Sequence, residues 1–138
     1  MNKYCLSLIV VAVCGIDPGC SNGEKKSLNP NGDSELALLM RKMASQTESL
    51  KVSLYKKENI GAYPSDYEKM LTATPTDSTL NRTLFNGFAT DYLSKVKIFY
   101  SSPDTLQIKN YNLMVNSCIT CHRNFCNGPL KRIKKMLI

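Results

Sequence analysis

Mostly apolar residues recur at intervals of three and four in three stripes along the chain, and this is the period of an amphipathic α-helix. The first stripe runs to about Asn59, with Asp33 or Ser34 as its N-cap. It consists of Leu36, Met40, Met43, Thr47, Leu50 and Leu54. The second stripe, capped by Asp77 or Ser78, consists of Leu84 or Phe85, Phe88, Tyr92, Val96 and Phe99. The third stripe, which runs to about Cys126, consists of Tyr111, Met114 or Val115, Cys118, His122 and Phe125.

Shorter segments separate these three helices. The segment from Pro64 to Leu71 fits a helix of only two or three turns, and Ser101-Ser102-Pro103-Asp104 reads as one helix ending and the next beginning. The pattern therefore predicts an all-α protein whose apolar stripes face one another in a bundle.

The first 33 residues follow another pattern. A basic start at Lys3 precedes an apolar run from Tyr4 to Ile16, which is too short to span a bilayer comfortably and is typical of an export signal. Gly19 before Cys20, with a polar segment after it, is typical of a bacterial lipoprotein signal. We therefore predict a signal at 1–19, a lipidated Cys20, a flexible tether at 20–33 and a helical domain at 34–138 on the periplasmic side of a membrane.

The net charge of +7 is concentrated near the C-terminus, in Arg123, Lys131, Arg132, Lys134 and Lys135. Nucleic acid is not the expected partner of an exported protein, so the charge indicates an acidic protein or an anionic membrane surface. The cations alternate with apolar residues between Leu130 and Ile138. Two forms of this tail fit the pattern, a short amphipathic helix packed on the bundle and a solvated basic segment.

The sequence Cys118-Ile119-Thr120-Cys121-His122 has the spacing at which a c-type haem is attached. Each thiol can bond to one vinyl group of the porphyrin, and the adjoining His122 then becomes the proximal iron ligand. Two alternatives use the same residues, a zinc site completed by Cys126 and a disulfide between Cys118 and Cys121. Haem is favoured because His122 is the only histidine in the chain and lies where attachment requires it.

With Cys118, Cys121, His122 and Phe125 on the last long helix, the chain resembles the class II cytochromes c, the cytochrome c prime family. The stretch Met40-Arg41-Lys42-Met43-Ala44-Ser45 is similar to that family's distal segment. The resemblance implies a four-helix bundle, here with a shortened second helix, that holds one covalent haem c on its C-terminal helix. It also implies Met40 as the distal iron ligand, with Met43 as its rival. The family's distal arginine corresponds to Leu36 here.

A methionine in the distal position implies six-coordinate, low-spin iron and hence an electron carrier rather than an enzyme. We therefore expect a monohaem cytochrome that exchanges single electrons outside the cytoplasm with an acidic redox partner. The first alternative is a five-coordinate haem protein that binds or senses a small gas such as nitric oxide. A second alternative is a non-haem, zinc-binding or structural lipoprotein. The sequence leaves open the role of Cys126 and the choice between monomer and homodimer.

Overall fold

The computed structural model describes residues 32–138, which form helices and connecting segments without a strand among them. The elements are α1 (Glu35–Lys56), a 3₁₀ helix (Ser65–Leu71), α2 (Arg82–Tyr100), α3 (Asp104–Phe125) and α4 (Leu130–Lys134). The predicted all-α bundle is confirmed, and the shortened second helix is the 3₁₀ helix. The predicted signal, the lipid site at Cys20 and all but the last two residues of the tether lie outside the described residues.

Helix α1 begins where predicted and ends earlier than predicted. Its N-cap is Ser34, whose Oγ accepts a hydrogen bond from the backbone N–H of Ala37 at 3.1 Å. It ends at Lys56, because Lys57 adopts a left-handed conformation with φ of 55°. Such a residue closes a helix, but glycine usually occupies the position, so the sequence carries no signal for it.

The predicted N-cap of α2 at Asp77 or Ser78 is wrong. Asp77 Oδ1 instead accepts hydrogen bonds from the backbone N–H of Thr79 at 2.8 Å and from its hydroxyl at 2.7 Å, which forms a local turn. The helix starts at Arg82, where Asn81 Oδ1 accepts from the N–H of Leu84 at 3.0 Å. Aspartate suits turns and caps equally well, which is why the pattern placed the start too early.

The backbones of α2 and α3 lie side by side, whereas α1 comes closest to the 3₁₀ helix. Val96, Phe99, Tyr111 and Val115 form a fully buried centre between α2 and α3. The hydroxyl of Tyr111 lies 3.1 Å from the carbonyl oxygen of Thr47 in α1. This buried contact connects α1 to α3 near the middle of both helices.

The C-terminal tail adopts the helical one of its two predicted forms. Helix α4 packs on α3, and Ile133 and Met136 are buried. Arg132 donates from two guanidinium nitrogens to the carboxylate of Glu48 at 2.7 and 2.8 Å, which fastens α4 to α1. Within residues 32–138, no helix is long and apolar enough to cross a membrane.

Candidate haem-attachment site

The predicted attachment residues lie in the last two turns of α3. Cys118, Cys121 and His122 are three and four residues apart, so the three side chains emerge from one face of the helix. The helix ends at Phe125, because Cys126 is extended and the residues Asn127-Gly128-Pro129 follow. Within the described residues, the motif therefore lies on the last long helix, and the short α4 follows it.

A cavity of about 360 Å³ separates the N-terminal half of α1 from the C-terminal end of α3. Met40 from α1 lines it together with Cys121 and His122 from α3. A smaller chamber of about 30 Å³ shares these three residues and adds Cys118 and Met43 to its wall. The structure thus brings all the predicted attachment and ligand residues within the described chain to one connected set of walls.

Met40 and Met43 differ in their surroundings. Met43 is only 5% exposed and belongs to the buried stripe of α1. It lines the smaller chamber but not the larger cavity. Met40 is partly buried and lines both spaces. Met70 of the 3₁₀ helix is a third methionine on the small chamber, and sequence reasoning missed it because two helical turns give too little periodicity to assign a face.

The position of His122 fits the role of a metal ligand. Its Nδ1 lies 3.2 Å from both the backbone carbonyl oxygen and the Sγ of Cys126, and in the tautomer with the proton on Nδ1 the ring donates to that carbonyl. The lone pair of the neutral ring is then on Nε2, which is the arrangement seen in metal-bound histidines. Burial lowers the pKa of His122, and the hydrogen bond to the backbone of Cys126 offsets part of this decrease. The lowered pKa favours the neutral ring that a metal requires.

The three cysteines of the described chain are free thiols. Burial raises the pKa of Cys118 to about 12 and that of Cys121 to about 11, so both are protonated at neutral pH. Because Cys118 and Cys121 are both free thiols, the alternative disulfide between them is absent from this structure. For the zinc alternative, residues 32–138 contain no group of three or more cysteine, histidine or acidic side chains placed to hold a metal ion.

The walls of the larger cavity are apolar, and its rim is polar. Phe125 packs edge-on against Phe85 and Phe88, with ring centroids 5.6 Å apart in each pair, and Phe85 and Phe125 line the cavity. Ser34, Arg41, Thr76 and Asp77 lie on the same lining. Two thiols, a neutral imidazole and a thioether beside apolar walls are a suitable donor set for a covalently attached haem.

No protein-family model, no curated protein and no solved structure matches this chain. A function must therefore be inferred from the fold and from this cavity. The fold is an all-α bundle in which residues about 80 positions apart in sequence, Met40 and His122, line the same space.

Proposed function

We propose that this protein is a monohaem c-type cytochrome that transfers single electrons outside the cytoplasm. One observation carries the proposal: Met40 of α1 shares an apolar cavity with Cys121 and His122 of α3. The attachment motif is a local pattern that can occur by chance in a sequence. A methionine at the same cavity is a separate, long-range observation, and it supplies the second ligand type found in electron-carrying cytochromes.

Each residue has a defined part in this proposal. Cys118 and Cys121 supply the thiols for covalent attachment, and His122 offers Nε2 while the carbonyl of Cys126 holds its ring in place. The attached haem c would supply the iron that gains and loses one electron. Met40 offers a neutral thioether, which favours ferrous iron and raises the reduction potential. The apolar walls would shield much of the attached haem from solvent.

The basic end of the chain supports an acidic redox partner. Arg123, Lys131, Lys134 and Lys135 are exposed, and α4 starts directly after Pro129, a residue of the cavity wall. Cations beside a redox site accelerate encounter with an acidic protein, and salt weakens the effect. We expect the rate of electron exchange with an acidic partner to fall as ionic strength rises. A rate independent of ionic strength, or unchanged on removal of the tail, would contradict this role.

The first test is an optical spectrum of the chain produced in a bacterial host that attaches haem to c-type cytochromes. We expect a mass increase of one haem that survives denaturation, sharp α and β bands in the reduced protein, and little response to carbon monoxide. A Cys118→Ala/Cys121→Ala variant is the control and should carry no covalent haem. Export and lipidation are tested in the same host by comparing membrane association of the natural chain with Cys20→Ser.

Two other spectra would overturn the proposal in different ways. Broad high-spin bands with ready binding of carbon monoxide would indicate an open iron site and hence the gas-binding alternative. Absence of Soret absorption, in a host shown to mature another c-type cytochrome, would exclude haem attachment and leave the structural or zinc-binding alternative.

A further inference from the structure

One cation lies on the wall of the larger cavity. Among the described residues, Arg41 is the only lysine or arginine that lines it. Its guanidinium is about half exposed, with 48% of the side-chain surface accessible, and lies 2.6 Å from the carboxylate of Asp33. The hydroxyls of Ser34 and Thr76, which lie 2.9 Å apart, belong to the same wall. The polar part of the lining thus consists of the guanidinium of Arg41, two hydroxyl groups and the carboxylate of Asp77, one oxygen of which already accepts two hydrogen bonds from Thr79.

The cavity has two chemically different ends. Cys118 lines only the smaller chamber, together with Met43 and Met70, while Cys121 lines both the smaller chamber and the larger cavity. Arg41 and Thr76 line only the larger cavity. In haem, the two vinyl groups and the two propionates lie on opposite edges of the porphyrin. If haem is attached through the two cysteines, which is the function proposed above, its propionates would lie on the side away from the smaller chamber, where Arg41 and Thr76 line the larger cavity.

We infer that Arg41 binds a haem propionate, with one hydroxyl of the hydrogen-bonded pair Ser34 and Thr76 as an additional donor, since the other hydroxyl donates within that pair. The resemblance to the cytochrome c prime family does not supply this residue, because the distal arginine of that family corresponds to Leu36 here, which has no charge. A guanidinium forms two parallel hydrogen bonds to a carboxylate, so Arg41 can exchange its contact with Asp33 for one with the propionate. Arg41 is thus a positioning residue for the cofactor and touches no atom that changes oxidation state.

The charge on Arg41 also has a consequence for the iron. It partly cancels the negative propionate, and removing it stabilises ferric iron relative to ferrous iron. We expect Arg41→Gln to shift the one-electron equilibrium toward ferric iron by threefold to tenfold, where tenfold corresponds to about 59 mV. Arg41→Lys keeps the charge but loses the two-pronged geometry, so its reduction potential should stay close to that of the natural protein.

The test compares the haem-loaded natural protein with Arg41→Gln, Arg41→Lys and the control Lys42→Gln. Lys42 is the neighbouring cation, but it pairs with Asp66 and does not line the cavity. The readouts are the midpoint potential and the propionate-bending bands in resonance Raman spectra. We expect both Arg41 variants to shift these bands and only Arg41→Gln to lower the potential appreciably, whereas Lys42→Gln changes neither.

Unchanged Raman bands in both Arg41 variants would overturn the inference, as would equal potential shifts in Arg41→Gln and Lys42→Gln. Arg41→Lys still decides the question where Arg41→Gln loads too little haem, because lysine preserves the charge. Failure of the proposed function is distinguishable, since in that case the natural protein itself shows no covalent haem before any variant is compared.

Discussion

The two candidate methionines on α1 should respond to truncation in opposite ways. Met40→Ala removes a partly buried side chain that lines the larger cavity, and Met43→Ala removes one that is 5% exposed and packed in the core. If Met40 is the iron ligand, its loss changes the coordination of the iron. The loss of Met43 then changes mainly the packing of α1 against the rest of the bundle.

The burial of Met43 sets the size of the packing effect. Truncating a buried methionine to alanine typically lowers the free energy of unfolding by about 2–5 kcal/mol. We expect a value near the lower end, about 2–3 kcal/mol, because a small chamber already adjoins this side chain and part of its surface is not in close contact. Met43→Leu retains most of the volume and should cost less than about 1.5 kcal/mol.

Two assays on the haem-loaded variants separate coordination from packing. Optical spectra with and without carbon monoxide report whether the sixth position is filled, and urea unfolding followed by circular dichroism reports stability. We expect Met40→Ala to become high-spin and to bind carbon monoxide, while Met43→Ala stays low-spin and unfolds at lower urea. The reverse pattern would identify Met43 as the ligand, and two low-spin variants would refute both assignments and direct attention to Met70.

Three further predictions concern the bundle and its thiols. Tyr111→Phe removes a fully buried hydroxyl that contacts two backbone carbonyl oxygens at 3.0 and 3.1 Å, so it should lower the free energy of unfolding by about 1–2 kcal/mol. In the same urea-unfolding assay, the exposed control Tyr55→Phe should change the free energy of unfolding by less than about 0.5 kcal/mol. Hydrogen bonds from Thr74 lower the pKa of Glu35 below its ordinary 4.5, so these bonds stabilise the fold above pH 4.5 and this stabilisation is lost on acidification. Between pH 6 and 3, Glu35→Gln should therefore lose less stability in urea unfolding than the natural protein, and equal losses would contradict this. In the haem-free chain, mass spectrometry should show that the exposed Cys126 is alkylated before Cys118 and Cys121. In the haem-loaded chain, Cys126 should be the one described thiol that still reacts, and early alkylation of Cys118 in the haem-free chain would refute its burial.

The long helices were predictable because their apolar residues repeat over five or six turns. Their ends were less so, since each depends on a single residue in competition with its neighbours. Lys57 closes α1 in a left-handed conformation that lysine rarely adopts, and Asp77 forms a turn where it was expected to cap α2. The pattern also placed Met40 on the buried stripe, but the structure buries Leu39 instead and leaves Met40 on the cavity wall.

The candidate site divides in the same manner into local and long-range parts. The attachment motif is contained in five consecutive residues, so its shared helix face follows from helical geometry alone. The shared cavity of Met40 and His122 depends on how α1 is placed against α3, and no periodicity encodes that placement. Arg41 in particular looks like an ordinary solvent-facing cation in the sequence, and only the path of the cavity distinguishes it from Lys42.

The placement of α1 explains why a cavity exists at this position. The first turn of α1 is fastened to the segment before α2, because the N–H of Leu36 donates to the carbonyl of Thr74 and the carboxylate of Glu35 accepts from the same residue. Further along, Tyr111 connects α1 to α3. The intervening turns of α1 are thus held at both ends, while their contact with the end of α3 is left open. In the proposed cytochrome, a ligand carried on those turns would keep a fixed position relative to His122, which would help to keep the reorganisation energy of electron transfer low.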